Sequence, residues 1–351
     1  MNQGLQVKRA FTLGASMVVL ALILGGCVPK EIRTSRIELG TVKKPRNNPD
    51  LNRVKRNLEE AMKLYPDNAE VYHLWGRVYA MEGKYKDMDI AFTKSEELDP
   101  KFEKDNEFIR QINWEKLFNQ GKALAQNDEL DSALVSFENS AICWPERYES
   151  LINASVLAHQ LGRNEEAYEL SKKAYDIDSN TVLVMEQYAS MCMVNNKYNE
   201  AEPVYKRILE KDPTNAEVMF QLGNIYRIEN DTTKAIEYYT QALDIDKNNS
   251  DGWFNLGLIY FHKKDFCMAA ECFGRVCSLI PEDTDARVDY LLSLVQCGKL
   301  DTARSELEKF TMEHPDNCDG WDLLSQTYLK LKMKKEANEA YKKFESCKKE
   351  H

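Results

Sequence analysis

Hydrophobic and polar positions recur along most of the chain with a period of about 34 residues. Prolines mark one fixed point in this period. A proline ends a helix because its nitrogen carries no hydrogen and its ring clashes with the preceding turn. The intervals between these prolines are whole multiples of the period, apart from one short insertion after position 100. They are Pro66, Pro100, Pro145, Pro213, Pro281 and Pro315.

Two amphipathic helices are predicted in each period. The first carries a large apolar residue, a small residue and a tyrosine, as in Trp253, Gly257 and Tyr260. The second carries an alanine four residues before an aromatic residue, as in Ala269 and Phe273. Small residues let two helices approach closely, and the rings fill the remaining holes. Because one hairpin cannot bury its apolar face alone, the period predicts a stack of hairpins.

This pattern resembles the tetratricopeptide repeat (TPR), a helix–turn–helix unit with the same period. The resemblance implies an all-α fold, a right-handed superhelical solenoid of about eight repeats over residues 69–347, with residues 348–351 as a tail. The first helix of each repeat is called helix A below, and the second helix B. The repeats are predicted to begin at Ala69, Trp114, Tyr148, Val182, Ala216, Ser250, Thr284 and Cys318.

Three segments depart from the regular repeat. Residues 51–68 resemble a helix B without a regular helix A, which predicts an N-terminal half-repeat or cap. Residues 101–113 contain the insertion and are predicted to lengthen the helix that enters the second repeat. No capping helix follows the last repeat, so its final helix must present a polar outer face, formed by Lys342, Lys343 and Glu345, or meet a partner.

Residues 1–26 have the pattern of an export signal. Lys8 and Arg9 precede an uncharged, largely apolar run from position 11 to position 24, which is too short to cross a bilayer as a helix. The sequence LGGC that ends at Cys27 resembles the lipobox of bacterial lipoproteins. The resemblance implies that residues 1–26 are removed and that Cys27 is lipidated. An ordinary signal peptide that contains a cysteine, and an uncleaved anchor, are the alternatives.

Residues 27–50 are predicted to be the lipidated cysteine and a tether, because prolines interrupt them and no periodicity is sustained. The residue after the cysteine is Val28 and not aspartate. By resemblance to lipoprotein sorting, this favours the bacterial outer membrane, with the periplasmic face favoured over the cell surface.

Charge and composition exclude several classes of function. The formal net charge is -10, and an acidic surface repels phosphates, so nucleic acid is not expected as a partner. The five histidines show no zinc-ligand spacing, and no glycine-rich phosphate loop is present. We therefore expect no enzyme activity, no catalytic residue, no metal site, no cofactor and no small-molecule substrate.

Nine cysteines are present, of which Cys27 belongs to the lipobox. Cys267, Cys272 and Cys277 recur at a spacing that drifts around a helix and suits no metal site. Cys192 and Cys297 are interpreted as small buried side chains of helices A. Cys318 and Cys347 lie at ends that antiparallel helices bring together, so a disulfide there is possible and is left open.

The TPR resemblance also indicates a binding surface, because particular positions of helix A usually face the concave groove. Side-chain amides occupy position six in five consecutive repeats, and Asp289 follows in the next. An amide both donates and accepts hydrogen bonds, so it can bind a peptide backbone without reading its side chains. The pattern resembles the asparagine ladder in the TPR region of O-GlcNAc transferase. The five amides are Asn119, Asn153, Gln187, Gln221 and Asn255.

Further candidate groove residues lie beside this ladder. Asn224 occupies position nine of its repeat, and three phenylalanines at position five would form apolar pockets for peptide side chains. The alternatives are that the amides only solvate the groove and that the phenylalanines belong to the core. These phenylalanines are Phe118, Phe220 and Phe254.

These features together predict a membrane-anchored protein-interaction scaffold of the bacterial cell envelope. Its groove would bind a peptide segment of an assembly or secretion partner. The plan resembles TPR lipoproteins such as the pilotins of type IV pilus secretins and the small lipoprotein of the β-barrel assembly machine. The alternative is an adaptor that recruits an envelope enzyme, a peptidoglycan hydrolase or a protease, through its convex face or its last repeat.

Overall fold

The computed structural model describes residues 28–350, so the predicted signal peptide and Cys27 lie outside the described residues. The described part of the chain contains 18 α-helices, one 3-10 helix at Pro100–Phe102 and no strand. The all-α fold built of stacked helix hairpins is therefore confirmed. The chain divides after Ser179 into two compact units, called unit 1 and unit 2 below.

The helices of unit 1 are α1 (Lys30–Leu39), α2 (Leu51–Leu64), α3 (Ala69–Glu82), α4 (Tyr85–Leu98), α5 (Glu103–Gln126), α6 (Leu130–Cys143), α7 (Glu149–Gln160) and α8 (Asn164–Ile177). The helices of unit 2 are α9 (Val182–Val194), α10 (Tyr198–Lys211), α11 (Ala216–Ile228), α12 (Thr232–Ile245), α13 (Ser250–His262), α14 (Phe266–Leu279), α15 (Thr284–Cys297), α16 (Leu300–Glu313), α17 (Cys318–Lys330) and α18 (Lys334–Glu350).

A glycine of helix A faces a buried ring of helix B in four repeats. At Gly223 an added Cβ atom would lie 2.7 Å from the ring of Tyr239, which is fully buried. Such a distance is shorter than any ordinary contact, so only glycine permits this packing. The same arrangement joins Gly76 to Phe92, Gly121 to Phe137 and Gly257 to Phe273.

The turn between helices A and B places one residue of every repeat in the left-handed region. At this residue φ lies between 58° and 83°. Glycine adopts this conformation without a steric penalty, whereas an L-residue with a side chain pays about 1 kcal/mol or more. Three repeats use glycine here and five do not. The residues are Gly83, Asp128, Gly162, Asn196, Asn230, Lys264, Gly298 and Lys332.

Residues 30–39 are not part of a tether. They form α1, whose Ile32 and Leu39 are fully buried in a core shared with α2 and α3. The carboxylate of Glu38 is also buried, pairs with Arg46 and Arg53, and accepts the backbone N–H of Asp50. These contacts fix the loop of residues 40–50. The half-repeat predicted from position 51 therefore does have a helix A, which is the short helix α1.

The insertion lengthens a helix, as predicted: α5 has 24 residues, whereas the other helices A of the repeats have 12 to 14. Asn106, in the added part of α5, is fully buried. Its Oδ1 lies 2.6 Å from Nδ1 of His73 on α3, and its Nδ2 donates to the carbonyl oxygen of Phe92 on α4. The added turns are thus tied to the preceding hairpin.

Two disulfides link helices within unit 2. Cys318, the first residue of α17, is bonded to Cys347 of α18, the pair that the sequence left open. Cys267 of α14 is bonded to Cys297 of α15, so the interpretation of Cys297 as a simple packing residue is wrong. Consecutive helices run antiparallel, which brings the start of α14 beside the end of α15. The remaining described cysteines, Cys143, Cys192, Cys272 and Cys277, form no disulfide.

Candidate functional site

Three amide side chains of unit 2 form a connected network on the helices A. Nδ2 of Asn224 on α11 donates to Oε1 of Gln221 at 3.3 Å, and Nδ2 of Asn255 on α13 donates to Oδ1 of Asn224 at 3.5 Å. All three residues are half-buried. The contact between Asn224 and Asn255 joins adjacent repeats, so two neighbouring A helices present their amides as one surface.

Two further hydrogen bonds fix the orientation of this network. Nε2 of Gln221 donates to Oε1 of Glu217 at 2.7 Å, one helical turn earlier. The hydroxyl of Tyr239 on α12 donates to Oδ1 of Asn224 at 2.7 Å. Tyr239 is also the ring that packs against Gly223. The buried core of the repeat therefore positions Asn224, and Asn224 positions its two neighbours.

Asp289 occupies the next position-six site, on α15. Burial raises the pKa of its carboxyl group above the usual range, and the negative charges of Asp285 and Asp283 raise it further. A carboxylate held in such surroundings is stabilised by a positive charge brought close to it. Along unit 2, the side chain at position six of helix A is therefore a neutral amide in successive repeats and then, at Asp289, a carboxylate that favours a cation.

The phenylalanines at position five contact the core and are not fully enclosed. The ring of Phe220 lies 5.6 Å from that of Tyr239, and the ring of Phe254 lies 5.6 Å from that of Phe273. In unit 1 the ring of Phe118 lies 5.4 Å from that of Phe137. All three phenylalanines are half-buried. Core packing thus holds each ring in place, and part of each phenylalanine stays accessible to solvent.

The remaining candidate amides have different environments. Asn119 in unit 1 is exposed. Asn153 donates from Nδ2 to the carbonyl oxygen of Glu149 on its own helix at 2.7 Å, which commits one donor to the backbone. Gln187 in unit 2 is half-buried. The five amides therefore do not form one uniform series. Gln221 and Asn255 belong to a linked set on α11 and α13. Asn224, rather than a position-six residue, is its centre.

Burial shifts the pKa of several titratable groups among the described residues. Burial raises the pKa of Cys143 and of Cys272 to about 12, so these thiols are protonated at neutral pH and are poor nucleophiles. Burial lowers the pKa of His73. Within residues 28–350, no group of three or more His, Cys, Asp or Glu side chains is placed to hold a metal ion. Nor does any helix in that range have the length and apolarity needed to cross a membrane.

Comparison with known families agrees with the repeat pattern. A family model described as "TPR repeat" matches residues 223–264, and one described as "Tetratricopeptide repeat" matches residues 204–237. Another tetratricopeptide-repeat model matches residues 148–181 and 250–283. With the helix hairpins described above, these matches show that the chain contains tetratricopeptide repeats. No curated protein sequence matches it.

Several solved structures are similar to this chain. The C-terminal part of a TPR repeat-containing protein from Cytophaga hutchinsonii is 16% identical, with a TM-score of 0.55 over 66% of this chain and 95% of that one. A tetratricopeptide repeat protein from Parabacteroides merdae is 18% identical, with a TM-score of 0.48 over 67% and 93%. PilF from Pseudomonas aeruginosa is 15% identical, with a TM-score of 0.49 over 62% and 99%. The first of these likenesses supports the fold.

The class of protein follows from the fold. Stacked helix hairpins expose long series of A-helix side chains, and repeat proteins of this kind generally serve as non-enzymatic scaffolds for protein or peptide partners. On the A helices of unit 2, Gln221, Asn224 and Asn255 form such a connected polar surface.

Proposed function

We propose that this protein is an envelope scaffold that binds an extended peptide segment across α11 and α13, and that a lipid on Cys27 anchors it to the outer membrane. The observation that carries the proposal is the amide network of Gln221, Asn224 and Asn255, whose side chains are hydrogen-bonded to one another. We call this set the amide network below.

The chemistry of the network suits a peptide backbone. An extended chain presents N–H and C=O groups in alternation, so its binding surface needs donors and acceptors together. Each amide has two N–H donors and an oxygen with two lone pairs, and the internal bonds of the network use only part of this capacity. Because the side chains are already ordered, little conformational entropy is lost when a ligand binds.

The residues beside the network indicate which segment would fit. Phe220 and Phe254 offer half-buried ring faces to apolar side chains. Asp289 offers a carboxylate with a raised pKa, and a nearby cation would lower that pKa towards its usual value. We therefore expect a segment with apolar residues along the network and a lysine or arginine near α15.

The envelope location rests on two independent features. The sequence before Val28 has the charge, length and LGGC ending of a lipoprotein signal. The two disulfides of unit 2 suit an oxidising compartment such as the bacterial periplasm, because cytosolic thiols are kept reduced. Both features favour export, and the first favours anchoring at Cys27.

Affinity capture from detergent-solubilised envelopes tests the proposal. The double variant Gln221→Ala/Asn255→Ala removes two amides and leaves the bond between Tyr239 and Asn224 intact. The control Gln241→Ala removes an exposed glutamine of helix B that pairs with Glu237 as Gln221 pairs with Glu217.

We expect the double variant to lose a partner that the native protein and the control both capture, with helicity and melting temperature unchanged. Equal capture by all three proteins would contradict the proposal. It would favour instead an adaptor that contacts its partner through the helices B or the last repeat.

A further inference from the structure

A pocket of about 630 Å³ lies in unit 1 between α1, α3 and the start of α5. Two of its three walls belong to elements outside the regular repeat, since α1 precedes the first full repeat and the residues near Phe102 and Asp105 come from the insertion. A stack of hairpins can be built without either element. Helix α1 and the insertion together enclose a space beside helix α3.

The wall formed by α3 contains a buried arginine. Arg77 is only 5% exposed, and its Nη2 donates to the backbone carbonyl oxygen of Leu39 at 2.9 Å. Among the described residues, this guanidinium forms no ion pair with a carboxylate. A guanidinium has five N–H donors, so most of its capacity is uncommitted. Burying a charge without a partner is costly, and proteins normally pair such a charge.

Burial and charge act on Arg77 in opposite directions. Burial lowers the pKa of its guanidinium because it disfavours the charged form, and the negative charge of the exposed Asp105 partly opposes this effect. Arginine nevertheless stays protonated at neutral pH. An anion in the pocket would offset the desolvation of this charge.

The other cations near the pocket already have partners. Arg36 of α1 forms a two-pronged contact with the carboxylate of Glu70. Lys101 pairs with Asp99. His73 contacts Asn106, and its lowered pKa keeps the ring neutral. The carboxylates of Glu70 and Asp105 in the same walls would repel a ligand with two negative charges more strongly than a ligand with one.

Apolar side chains complete the walls. Val42 is half-buried, and so is Phe102, whose ring stacks on His73. Ile37, by contrast, is 65% exposed and stands at the mouth. The pocket thus combines one buried, uncommitted guanidinium with an apolar lining, which matches a ligand that has one negative charge and an apolar body.

We propose that this pocket binds a monocarboxylate attached to an apolar group, with the carboxylate on the guanidinium of Arg77 and the apolar group against Val42 and Phe102. Two sources supply this chemistry, a small apolar acid and the C-terminal residue of a peptide. The site uses α1 and the insertion and lies in unit 1, whereas the amide network lies in unit 2. Each can therefore be tested without the other.

Ligand-observed NMR titration of the detergent-solubilised full-length protein tests the inference with three probes. N-acetyl-leucine carries the carboxylate, N-acetyl-leucinamide lacks its charge, and hexanoate lacks the peptide group. We expect N-acetyl-leucine to bind at least tenfold more tightly than its amide. Hexanoate binding equal to that of N-acetyl-leucine would identify a small acid as the source, and markedly weaker binding a peptide C-terminus.

Variants locate the binding. Arg77→Gln should weaken N-acetyl-leucine binding at least tenfold, and so should Ile37→Glu, which places a negative charge at an exposed position of the mouth without disturbing the core. Ile37→Gln should weaken it less. The control Arg110→Gln changes another poorly exposed arginine of unit 1, one already paired with Asp89 and Glu96, and should bind normally.

Several results would overturn the inference. These are equal binding of N-acetyl-leucine and its amide, full affinity in both Arg77→Gln and Ile37→Glu, and no binding of any of the three probes.

Discussion

The disulfide between Cys318 and Cys347 is expected to hold the last repeat closed. The two residues are 29 apart in sequence, and they join the first residue of α17 to the last turns of α18. Among the described helices, α17 and α18 contact a preceding repeat on one side only, so they open more easily than a repeat enclosed on both sides. Closing a loop of this length lowers the conformational entropy of the unfolded chain, which stabilises the folded state by about 3–4 kcal/mol at 25 °C.

This magnitude can be read from amide hydrogen exchange. Removing the disulfide with Cys318→Ser/Cys347→Ser should lower the protection of the amides in α17 and α18 by roughly 100-fold to 1,000-fold, since about 1.4 kcal/mol corresponds to a factor of ten. Protection in α11 to α13 should change little, because each repeat is stabilised mainly by its neighbours.

The control for this experiment is Cys277→Ser, which alters a half-buried free thiol of the same unit. It should leave the protection of α17 and α18 unchanged. A loss of less than tenfold in the double variant, or an equal loss in the control, would refute the reasoning.

Three further predictions concern packing, charge and anchoring. Gly223→Ala should destabilise unit 2 by about 1–2 kcal/mol in urea unfolding, because the clash of its Cβ with Tyr239 outweighs the better helix propensity of alanine. Asp289→Asn should raise the melting temperature at pH 7 and not at pH 3. The pKa of this carboxyl group is raised in the folded state, so its stabilisation is present below the ordinary pKa of 3.8. That stabilisation is lost as the pH rises through the folded-state pKa. Cys27→Ser should release the protein from membranes in fractionation, and continued membrane association of an uncleaved chain would count against the lipobox.

The repeat architecture could be predicted because its determinants are local and recur. Each glycine of helix A meets an aromatic ring at a constant distance further along the chain, as Gly223 meets Tyr239, and the prolines end the helices B. The first hairpin could not be predicted in this way. Helix α1 has a single pair of buried apolar residues one heptad apart, Ile32 and Leu39, and its loop is fixed by the buried Glu38. These tertiary contacts leave no periodic signal.

The candidate site was predictable in outline only. Register placed Gln221, Asn224 and Asn255 on the exposed side of the helices A, but the bonds between them depend on side-chain rotamers and on the hydroxyl of Tyr239 from another helix. The bond between Cys267 and Cys297 was missed for a related reason. Their distance in sequence is not informative until the antiparallel packing of α14 and α15 brings them together.

The central claim is that the amide network binds a peptide backbone. Its most direct test is the dissociation constant of a synthetic peptide that corresponds to the captured partner segment, measured by fluorescence anisotropy with native protein, Gln221→Ala/Asn255→Ala and Gln241→Ala. Two hydrogen bonds contribute roughly 1–3 kcal/mol, so the double variant should bind about 5-fold to 150-fold more weakly, while Gln241→Ala binds like the native protein. Equal dissociation constants for all three proteins would contradict the account.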